Sequence, residues 1–262
     1  MLLCIDIGNI NITFGLYTGE TLGPHWRIQT IHDKTSDEYG SLLEQLFRHQ
    51  GCRPDQVTGI AMASVVPPLT PVFQEACQQY TGQDPLVVDA GVRTGVRIRY
   101  DNPREVGADR VADAAAVRAL YGTPACVVDF STATAFDAIS ADGDYLGGAI
   151  APGIGIAAEA LFQRTAKLPR VELMRPPSAI GRNTVHSIQS GLLFGYAGLV
   201  EGMVARFKAE LGSTTRVVAT GSMAPLIAQE TTAIDVVDLW LTLHGLRIIY
   251  ELNRRDSSLR PE

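Results

Sequence analysis

Residues 3–8, LCIDIG, and residues 127–132, VVDFST, begin the two halves of the chain with the same kind of segment. Each segment is an apolar run typical of a buried strand, and it leads into a carboxylate and a turn of small or polar residues. Further strand-like stretches follow at residues 12–17 and 134–139. The repetition predicts two similar α/β lobes. Strands that end in Asp are also common in other α/β proteins, so one large core stays open as the alternative.

A break in this pattern at residues 121–124, YGTP, marks the predicted boundary between the lobes. The first predicted lobe comprises residues 1–120 and the second residues 121–262. Apolar periodicity predicts the helices within them. They cover residues 36–48, 71–80, 112–120, 156–161 and 238–252, with a long helix that begins at Asn183 or Thr184 and ends at Leu211. Further strands are predicted at residues 60–66, 86–88 and 216–219.

The composition disfavours several classes of function. The chain has 262 residues, 46% of them hydrophobic, and a formal net charge of −6. Because nucleic-acid-binding and membrane-surface proteins usually have a basic face, neither nucleic acid nor membrane is an expected partner. The four cysteines are scattered and form no CxxC pair, which argues against a disulfide scaffold or a zinc site. No signal-peptide pattern is found at the N-terminus, so we expect a cytoplasmic location.

The first candidate phosphate-binding segment is residues 6–13, DIGNINIT. Backbone amides exposed in a turn after a strand bind anions, and Gly8 has no Cβ to obstruct a phosphate. A carboxylate beside phosphates requires a bridging cation, so Asp6 fits a magnesium-associated role. An ordinary hairpin turn is the alternative interpretation. The P-loop and GxGxxG patterns are absent, so a nucleotide would have to be bound in another way.

Residues 129–134, DFSTAT, form a second candidate segment in the other half of the chain. Thr132 and Thr134 supply hydroxyl groups and Asp129 supplies a charge, although threonines also simply favour strands. Residues 147–153, GGAIAPG, are a glycine-rich segment that leads into the predicted helix at residue 156. The segment permits close backbone approach to a ligand or unusual backbone dihedral angles, or it is ordinary loop punctuation.

Residues 107–110, GADR, contain the candidate catalytic group. Asp109 and Arg110 stand at the start of a predicted helix, where the helix dipole favours a carboxylate and the arginine would hold it ionised. An ionised carboxylate that reaches a hydroxyl group is a candidate general base for phosphoryl transfer. Arg110 is suited to bidentate binding of a substrate carboxylate. A helix-capping Asp with a charged neighbour is the structural alternative.

Six segments in one order carry a resemblance to a known family. They are DIGN at residues 6–9, GADR at 107–110, DFSTAT at 129–134, GGAIAPG at 147–153, GRNT with SIQSG at 181–184 and 187–191, and TG at 220–221. Together they resemble the motifs of the type III pantothenate kinases over nearly the whole chain. The GADR segment matches its family signature completely and is the most specific of the six.

The resemblance implies an α/β fold of two ribonuclease-H-like lobes, the actin-like ATPase duplication seen in actin and hexokinase, with a nucleotide cleft between them. It implies ATP-dependent phosphorylation of pantothenate to 4′-phosphopantothenate, the first step of coenzyme A biosynthesis. ATP would come with Mg²⁺, and a monovalent cation, K⁺ or NH₄⁺, would be required. The family's members are homodimers whose pantothenate pocket borrows residues from the partner subunit.

The resemblance also assigns roles to residues of this sequence. Asp109 is the implied general base, and Asp129 the implied ligand of the monovalent cation. The implied pantothenate site comprises Tyr100, Gly107, Ala108, Asp109, Arg110 and Thr184. The implied ATP contacts are Asp6, Ile7, Gly8, Asn9, Ile10, Asn11, Ile12, Thr13 and Thr132, with Asp6 also associated with Mg²⁺.

Three residues depart from the family pattern. Ile10 replaces a threonine near the phosphates, Ser131 replaces a glycine and is acceptable only with a negative φ, and Ser222 replaces a second late glycine. Two alternative functions stay open. One is a kinase for another small hydroxyl substrate, such as a sugar, because a fold does not fix its substrate. The other is a catalytically weak or silent regulatory or accessory protein on the same scaffold.

Overall fold

The computed structural model describes the backbone of residues 1–257 and the side chains of residues 1–254. The chain divides into two compact units. Of the described residues, unit 1 comprises Met1–Arg97, Asp101–Ala119 and Leu241–Ser257, and unit 2 comprises Ile98–Tyr100 and Leu120–Trp240.

Each unit contains one five-stranded sheet, and the two sheets have the same topology. The strands of unit 1 are β1 (Leu2–Ile7), β2 (Asn11–Thr18), β3 (Thr21–Gln29), β4 (Gly59–Ser64) and β5 (Leu86–Val87). Those of unit 2 are β6 (Ala125–Phe130), β7 (Ala133–Ile139), β8 (Tyr145–Pro152), β9 (Arg216–Thr220) and β10 (Val236–Val237). The orders β3-β2-β1-β4-β5 and β8-β7-β6-β9-β10 are equivalent.

Strand directions agree between the units as well. In each sheet the first three strands form an antiparallel meander, and the last two are parallel to the first strand. This arrangement confirms the predicted α/β fold with two ribonuclease-H-like lobes. The nucleotide cleft between them stays a prediction.

The helices lie close to their predicted positions. They are α1 (Ser36–His49), α2 (Leu69–Thr81), α3 (Ala108–Leu120), α4 (Ile154–Gln163), α5 (Thr184–Leu211), α6 (Ala224–Ala228) and α7 (Leu241–Ser257). Thr35 caps α1 in a capping box with Glu38, and the Asn183 side chain caps α5 by accepting a hydrogen bond from the His186 amide. The prediction that α5 begins at residue 183 or 184 is therefore confirmed.

Helix α7 requires a correction of the predicted lobe boundaries. The predicted second lobe comprises residues 121–262, but α7 packs against β1, β2 and β4 of unit 1. Its side chains Leu243, Leu246 and Ile249 are buried, and Thr242 donates a hydrogen bond of 2.7 Å to Asp113 of α3. The apolar face of α7 thus covers the face of the first sheet opposite α1 and α2, a partner that helix periodicity alone does not identify.

Two further elements differ from the predicted ones. No strand is predicted in the glycine-rich segment at residues 147–153, but residues 145–152 form strand β8, in which Gly147 pairs with Ala138 and Gly148 with Asp137. The ladder to β7 satisfies the backbone there despite the low strand propensity of glycine. The last helix begins at Leu241 rather than residue 238, because the Asp238 side chain accepts the Trp240 amide in a preceding turn.

Helix α5 forms the centre of the apolar core of unit 2. Its residues Ile188, Leu192 and Val200 are buried in a cluster with side chains of β6, β7 and β9. Among the described residues, α5 is the one helix long and apolar enough to cross a membrane. Core helices of soluble proteins pass the same test, and 44% of the apolar window of α5 is buried.

Candidate active site

The turn between β1 and β2 is the first element of the candidate site. The Gly8 amide donates to the Asn11 carbonyl at 3.0 Å and closes the turn. The Thr30 hydroxyl, from the end of β3, donates to the Gly8 carbonyl at 2.6 Å. Asn9, Ile10 and Asn11 are exposed. The turn is therefore fixed by the sheet while its tip faces solvent.

The buried residues of this segment restrict how it can contact a nucleotide. Ile7 and Ile12 have no exposed surface and pack in the apolar core under α1 and α2. Thr13 is 8% exposed and pairs with Asp6 across the β1–β2 ladder. The side chains of Ile7 and Ile12 therefore have no access to a ligand, and the predicted ATP contact of these two residues is restricted to their backbone.

Asp109 lies in the first turn of α3. The Val111 amide donates to the Gly107 carbonyl at 3.1 Å, which is the first hydrogen bond of the helix. One carboxylate oxygen of Asp109, Oδ1, accepts the Arg110 amide at 2.8 Å. Asp109 is therefore not a terminal cap, and its carboxylate is oriented by the helix that carries it.

Burial raises the pKa of the half-buried Asp109 carboxyl group above its ordinary value. The Arg110 amide and the Arg110 charge act in the opposite direction but do not cancel the effect of burial. The Arg110 charge thus lowers the pKa of Asp109 as predicted, but burial makes the net shift upward. The result is a stronger proton acceptor, since its pKa lies nearer to neutral pH.

Asp6 and Asp109 stand at the same edge of the sheet of unit 1. Asp6 is near the carboxyl end of β1, which is parallel to β4. Val65, directly after β4, donates its amide to the Ile7 carbonyl at 3.0 Å. Gly107 packs against Val65, because a side-chain carbon at Gly107 would lie 3.4 Å from Val65 Cγ1. Carboxyl ends of parallel strands are the usual ligand-binding edge of α/β sheets.

The turn after β6 is the equivalent element of unit 2. The Ser131 amide donates to the Ala133 carbonyl at 3.0 Å. Asp129 pairs in register with Thr220, the last residue of β9. Gly221 follows with φ +87°, and a Cβ there would lie 2.7 Å from Asp129 Oδ1 and even closer to the Phe130 carbonyl. A substituted residue at position 221 would therefore displace Asp129.

Gly153 closes the same turn from the side of β8. A Cβ at Gly153 would lie 2.8 Å from the Ser131 carbonyl oxygen and would overlap the Thr132 carbonyl. Asp129, Thr132, Gly153 and Gly221 are therefore brought together at the carboxyl edge of the second sheet. The motifs at residues 129–134, 147–153 and 220–221, which are distant in sequence, form one structural element.

Two predicted substrate residues lie in unit 2 in different surroundings. Tyr100 is 36% exposed, and its ring centroid is 6.4 Å from that of Tyr145. Thr184 begins α5 and lines a cavity of about 630 Å³. The cavity is also lined by Leu161, Leu168, Gly181, Arg182, Asn183, Ser187, Ile188, Gly191 and Leu192. Tyr100 is not part of this lining.

A comparison with known proteins identifies the family of the chain. The family model described as "Type III pantothenate kinase" matches residues 2–206. The chain belongs to the type III pantothenate kinase family. A type III pantothenate kinase of Moorella thermoacetica is 56% identical over 97% of this chain and 100% of its own length. One of Roseiflexus sp. (strain RS-1) is 55% identical, with coverage of 97% and 100%.

Solved structures support the fold of this pantothenate kinase family member. A Campylobacter jejuni protein described as a Baf family transcriptional activator aligns with TM-score 0.63 and 19% identity, covering 97% of this chain and 99% of that one. Component A of the (R)-2-hydroxyglutaryl-CoA dehydratase of Acidaminococcus fermentans aligns with TM-score 0.53 and 11% identity, covering 98% of each chain. At these identities the likeness concerns the fold alone.

ATP and a divalent metal ion are the cofactors that a kinase of this family requires. Among the described residues, no group of three or more His, Cys, Asp or Glu side chains is arranged to hold a metal ion. Mg²⁺ needs no such group, because it is usually bound by one or two carboxylates together with substrate phosphates and water. The half-buried Asp6 carboxylate beside the β1–β2 turn is a candidate for such a carboxylate.

Two departures from the pantothenate kinase pattern are accommodated without strain. In the part of the chain that the structure describes, only glycines have positive φ, so Ser131 meets the condition set for it. Ile10 is 50% exposed, so the replacement of the family's threonine by isoleucine loses a hydroxyl group without disturbing the core.

Several supporting residues were not found from the sequence. Thr30 holds the β1–β2 turn from 22 residues away, and Tyr145 packs against Tyr100. One sequence feature indicates a structural role for Tyr145, namely its place directly after the predicted turn at residues 141–144 and at the start of an edge strand. No local sequence pattern indicates the role of Thr30.

Proposed function

We propose that this chain transfers the γ-phosphoryl group of ATP to the primary hydroxyl group of pantothenate, which gives 4′-phosphopantothenate and ADP in the first step of coenzyme A biosynthesis. The observation that carries the proposal is the placement of Asp109. Its carboxylate has a raised pKa and stands at the same sheet edge as the Asp6 turn. This is the arrangement expected for a general base beside a phosphate-binding turn.

In the proposed reaction Asp109 accepts the proton of the pantothenate hydroxyl group. The hydroxyl oxygen forms a bond to the γ-phosphorus, and the bond from that phosphorus to the oxygen bridging to the β-phosphate breaks, so ADP leaves. Such transfers depend mainly on positioning and on charge stabilisation. The Arg110 amide, which binds Asp109 Oδ1 at 2.8 Å, orients the base for this step.

The remaining site residues are proposed in the roles that the family resemblance implies. Pantothenate contacts Tyr100, the segment from Gly107 to Arg110, and Thr184. ATP contacts Thr132 and residues 6–13, with Ile7 and Ile12 contributing through their backbone because their side chains are buried. Turn amides are suited to this purpose because they bind phosphate oxygens irrespective of side-chain type.

A monovalent cation, K⁺ or NH₄⁺, is proposed at Asp129, and Mg²⁺ at Asp6 with the ATP phosphates. The support for the first is the chemistry of the surrounding donors, which are oxygens. Asp129 Oδ1 and the Phe130 carbonyl both lie against Gly221. Such donors suit hard cations. The negative charge of Asp129 would be balanced by the ion.

We also propose that the protein is a homodimer and that it works in the cytoplasm. The support for dimerisation is a set of exposed apolar side chains on α4 and before α5: Ile156, Leu161, Phe162, Met174 and Ile180, of which Ile180 is 82% exposed. All five lie within residues 156–180, and contiguous exposed apolar surface marks interaction sites. Sedimentation equilibrium should give twice the chain mass for the wild type and a monomer for Ile180→Asp. A wild-type monomer at all concentrations would refute the dimer.

The activity is tested with the purified protein in a coupled assay of ADP release, with pantothenate compared against a panel of hexoses, and with the product identified by mass. Pantothenate-dependent ADP release and a product heavier by one phosphate are expected. Turnover of a hexose in place of pantothenate would establish a sugar kinase. No turnover with any alcohol, under conditions where nucleotide binding is measurable, would establish a silent accessory protein.

A further inference from the structure

Three residues, Ile98–Tyr100, are attached to the edge of the sheet of unit 2. Ile98 forms a parallel bridge with Tyr145 at the start of β8. The Arg99 amide donates to the Tyr145 carbonyl at 2.8 Å. The residues on either side of this segment, Arg97 and Asp101, belong to unit 1. The segment is therefore short and has few backbone contacts to hold it.

An ion pair adds to this attachment. Arg99 Nε donates to Asp144 Oδ2 at 2.9 Å, with the Arg99 side chain 53% exposed and the Asp144 side chain 16% exposed. Asp144 lies in the turn between β7 and β8. Its backbone exchanges hydrogen bonds with Ser140, at 2.8 Å to the Ser140 amide and 3.1 Å to the Ser140 hydroxyl. Asp144 is thus a fixed anchor, and Arg99 is the side chain held by it.

Tyr100, the next residue, packs on a rigid surface. Its ring contacts Tyr145, and a Cβ at Gly147 would lie 3.2 Å from Tyr100 Cε2. The Tyr145 hydroxyl donates to Asp137 Oδ1 at 2.7 Å, and both residues are fully buried. The Tyr100 hydroxyl has no hydrogen-bond partner within the described residues. The polar end of Tyr100 is therefore available to a ligand while its ring is confined.

We infer that the Arg99–Asp144 ion pair is a positioning device that holds Tyr100 ready for pantothenate. The inference rests on the proposed function, in which Tyr100 lines the pantothenate site. Fixing a contact residue before binding lowers the ordering cost of the complex. Arg99 and Asp144 act through Tyr100 and take no part in phosphoryl transfer. Their loss should weaken pantothenate binding and leave the chemical step unchanged.

The test uses the full-length enzyme with Arg99→Gln, Asp144→Ala and the double variant. Each single variant should raise the KM for pantothenate about two- to fivefold, the range of a partly exposed ion pair, with kcat and the KM for ATP unchanged. The double variant should show the same rise as either single variant, because both remove one interaction. Arg99→Lys should restore part of the affinity. Tyr100→Ala should raise the KM for pantothenate more than any of these.

Arg53→Gln is the matched control, since Arg53 forms an exposed pair with Asp55 at 3.0 Å in unit 1. It should change none of the constants. An unchanged KM in the Arg99 and Asp144 variants, a fall in kcat, or additive effects in the double variant would each overturn the inference while leaving the proposed function intact. A wild type that does not phosphorylate pantothenate would instead refute the proposed function and this inference with it.

Discussion

Asp109 Oδ1 accepts a hydrogen bond of 2.8 Å from the backbone amide of Arg110, the residue that follows it in the first turn of α3. The bond ties the orientation of the carboxylate to the helix. Burial meanwhile raises the pKa of Asp109, although the Arg110 charge lowers it. A fixed orientation and increased basicity are the two properties that a general base requires.

Replacement of Asp109 by asparagine should abolish turnover. Asparagine keeps the size and the acceptor for the Arg110 amide but does not accept a proton from the substrate. We expect kcat to fall by about 10²- to 10⁴-fold, the usual contribution of general base catalysis, with little change in circular dichroism. Asp142→Asn, an exposed turn residue, is the control and should retain full activity. A rate near that of the wild type in Asp109→Asn would remove Asp109 from the mechanism.

The raised pKa of Asp109 predicts a dependence of activity on pH. Only the ionised carboxylate accepts the hydroxyl proton, so kcat/KM for pantothenate should rise as pH increases through the pKa of Asp109 and then level off. Because burial shifts this pKa upward, the rise should occur above the ordinary value of 3.8. A flat profile across that range in the wild type would contradict a role for this group as the base.

The raised pKa of Asp109 also predicts that the stability of the fold decreases as pH rises, whereas the activity increases. The folded state holds the Asp109 proton more tightly than the unfolded state, so stability is lost as pH rises through the folded pKa. The Asp109→Asn variant has no titrating group at this position and therefore does not lose stability in this way. The unfolding temperature of the wild type should therefore fall relative to that of the variant as pH increases, as measured by calorimetry across the range. Parallel pH curves for the two proteins would show that the pKa is not shifted.

Local patterns predicted the strand at Asp6 and the helix at Asp109 correctly, and long-range relationships account for what was missed. The strand ending at Asp6 and the helix carrying Asp109 are both visible in a few consecutive residues. The membership of α7 in unit 1 is not, because an amphipathic pattern shows that a face is buried without showing which sheet covers it. Strand β8 is not visible in the sequence for a related reason. Its glycines have low strand propensity, and the strand forms because it pairs with β7, which is distant information that a local pattern does not contain.

Activity should depend on a monovalent cation bound at Asp129. K⁺ or NH₄⁺ should raise the rate over a buffer containing Na⁺ alone, because the ion balances the Asp129 charge beside the Ser131–Thr132 turn. Asp129→Asn should remove the dependence and most of the activity. Steady-state rates measured at constant ionic strength test this. Equal rates in sodium and potassium would count against Asp129 as a cation ligand.

Gly221→Ala should damage both stability and ATP binding. Gly221 has φ +87°, and a Cβ there would overlap the Phe130 carbonyl and approach Asp129 Oδ1. Gly122→Ala is the matched control, since Gly122 has φ +82° with no atom within 4 Å of its Cβ position. The control should lose about 1–2 kcal/mol through its backbone conformation alone. Gly221→Ala should lose more and should also raise the KM for ATP, whereas identical behaviour of the two variants would contradict the packing argument.

The last prediction concerns Thr30, whose hydroxyl donates to the Gly8 carbonyl at 2.6 Å and which is only 7% exposed. Thr30→Val keeps the shape and removes the donor, which leaves the Gly8 carbonyl without this bond. Loss of one buried partner costs about 1–3 kcal/mol. Because the bond fixes the β1–β2 turn, the KM for ATP should rise as well, while the KM for pantothenate stays unchanged. Thr30→Ser retains the hydroxyl group and should restore ATP affinity. If Thr30→Val lowers the unfolding temperature but leaves the KM for ATP unchanged, the turn is not a nucleotide contact, and Thr30 only stabilises the sheet.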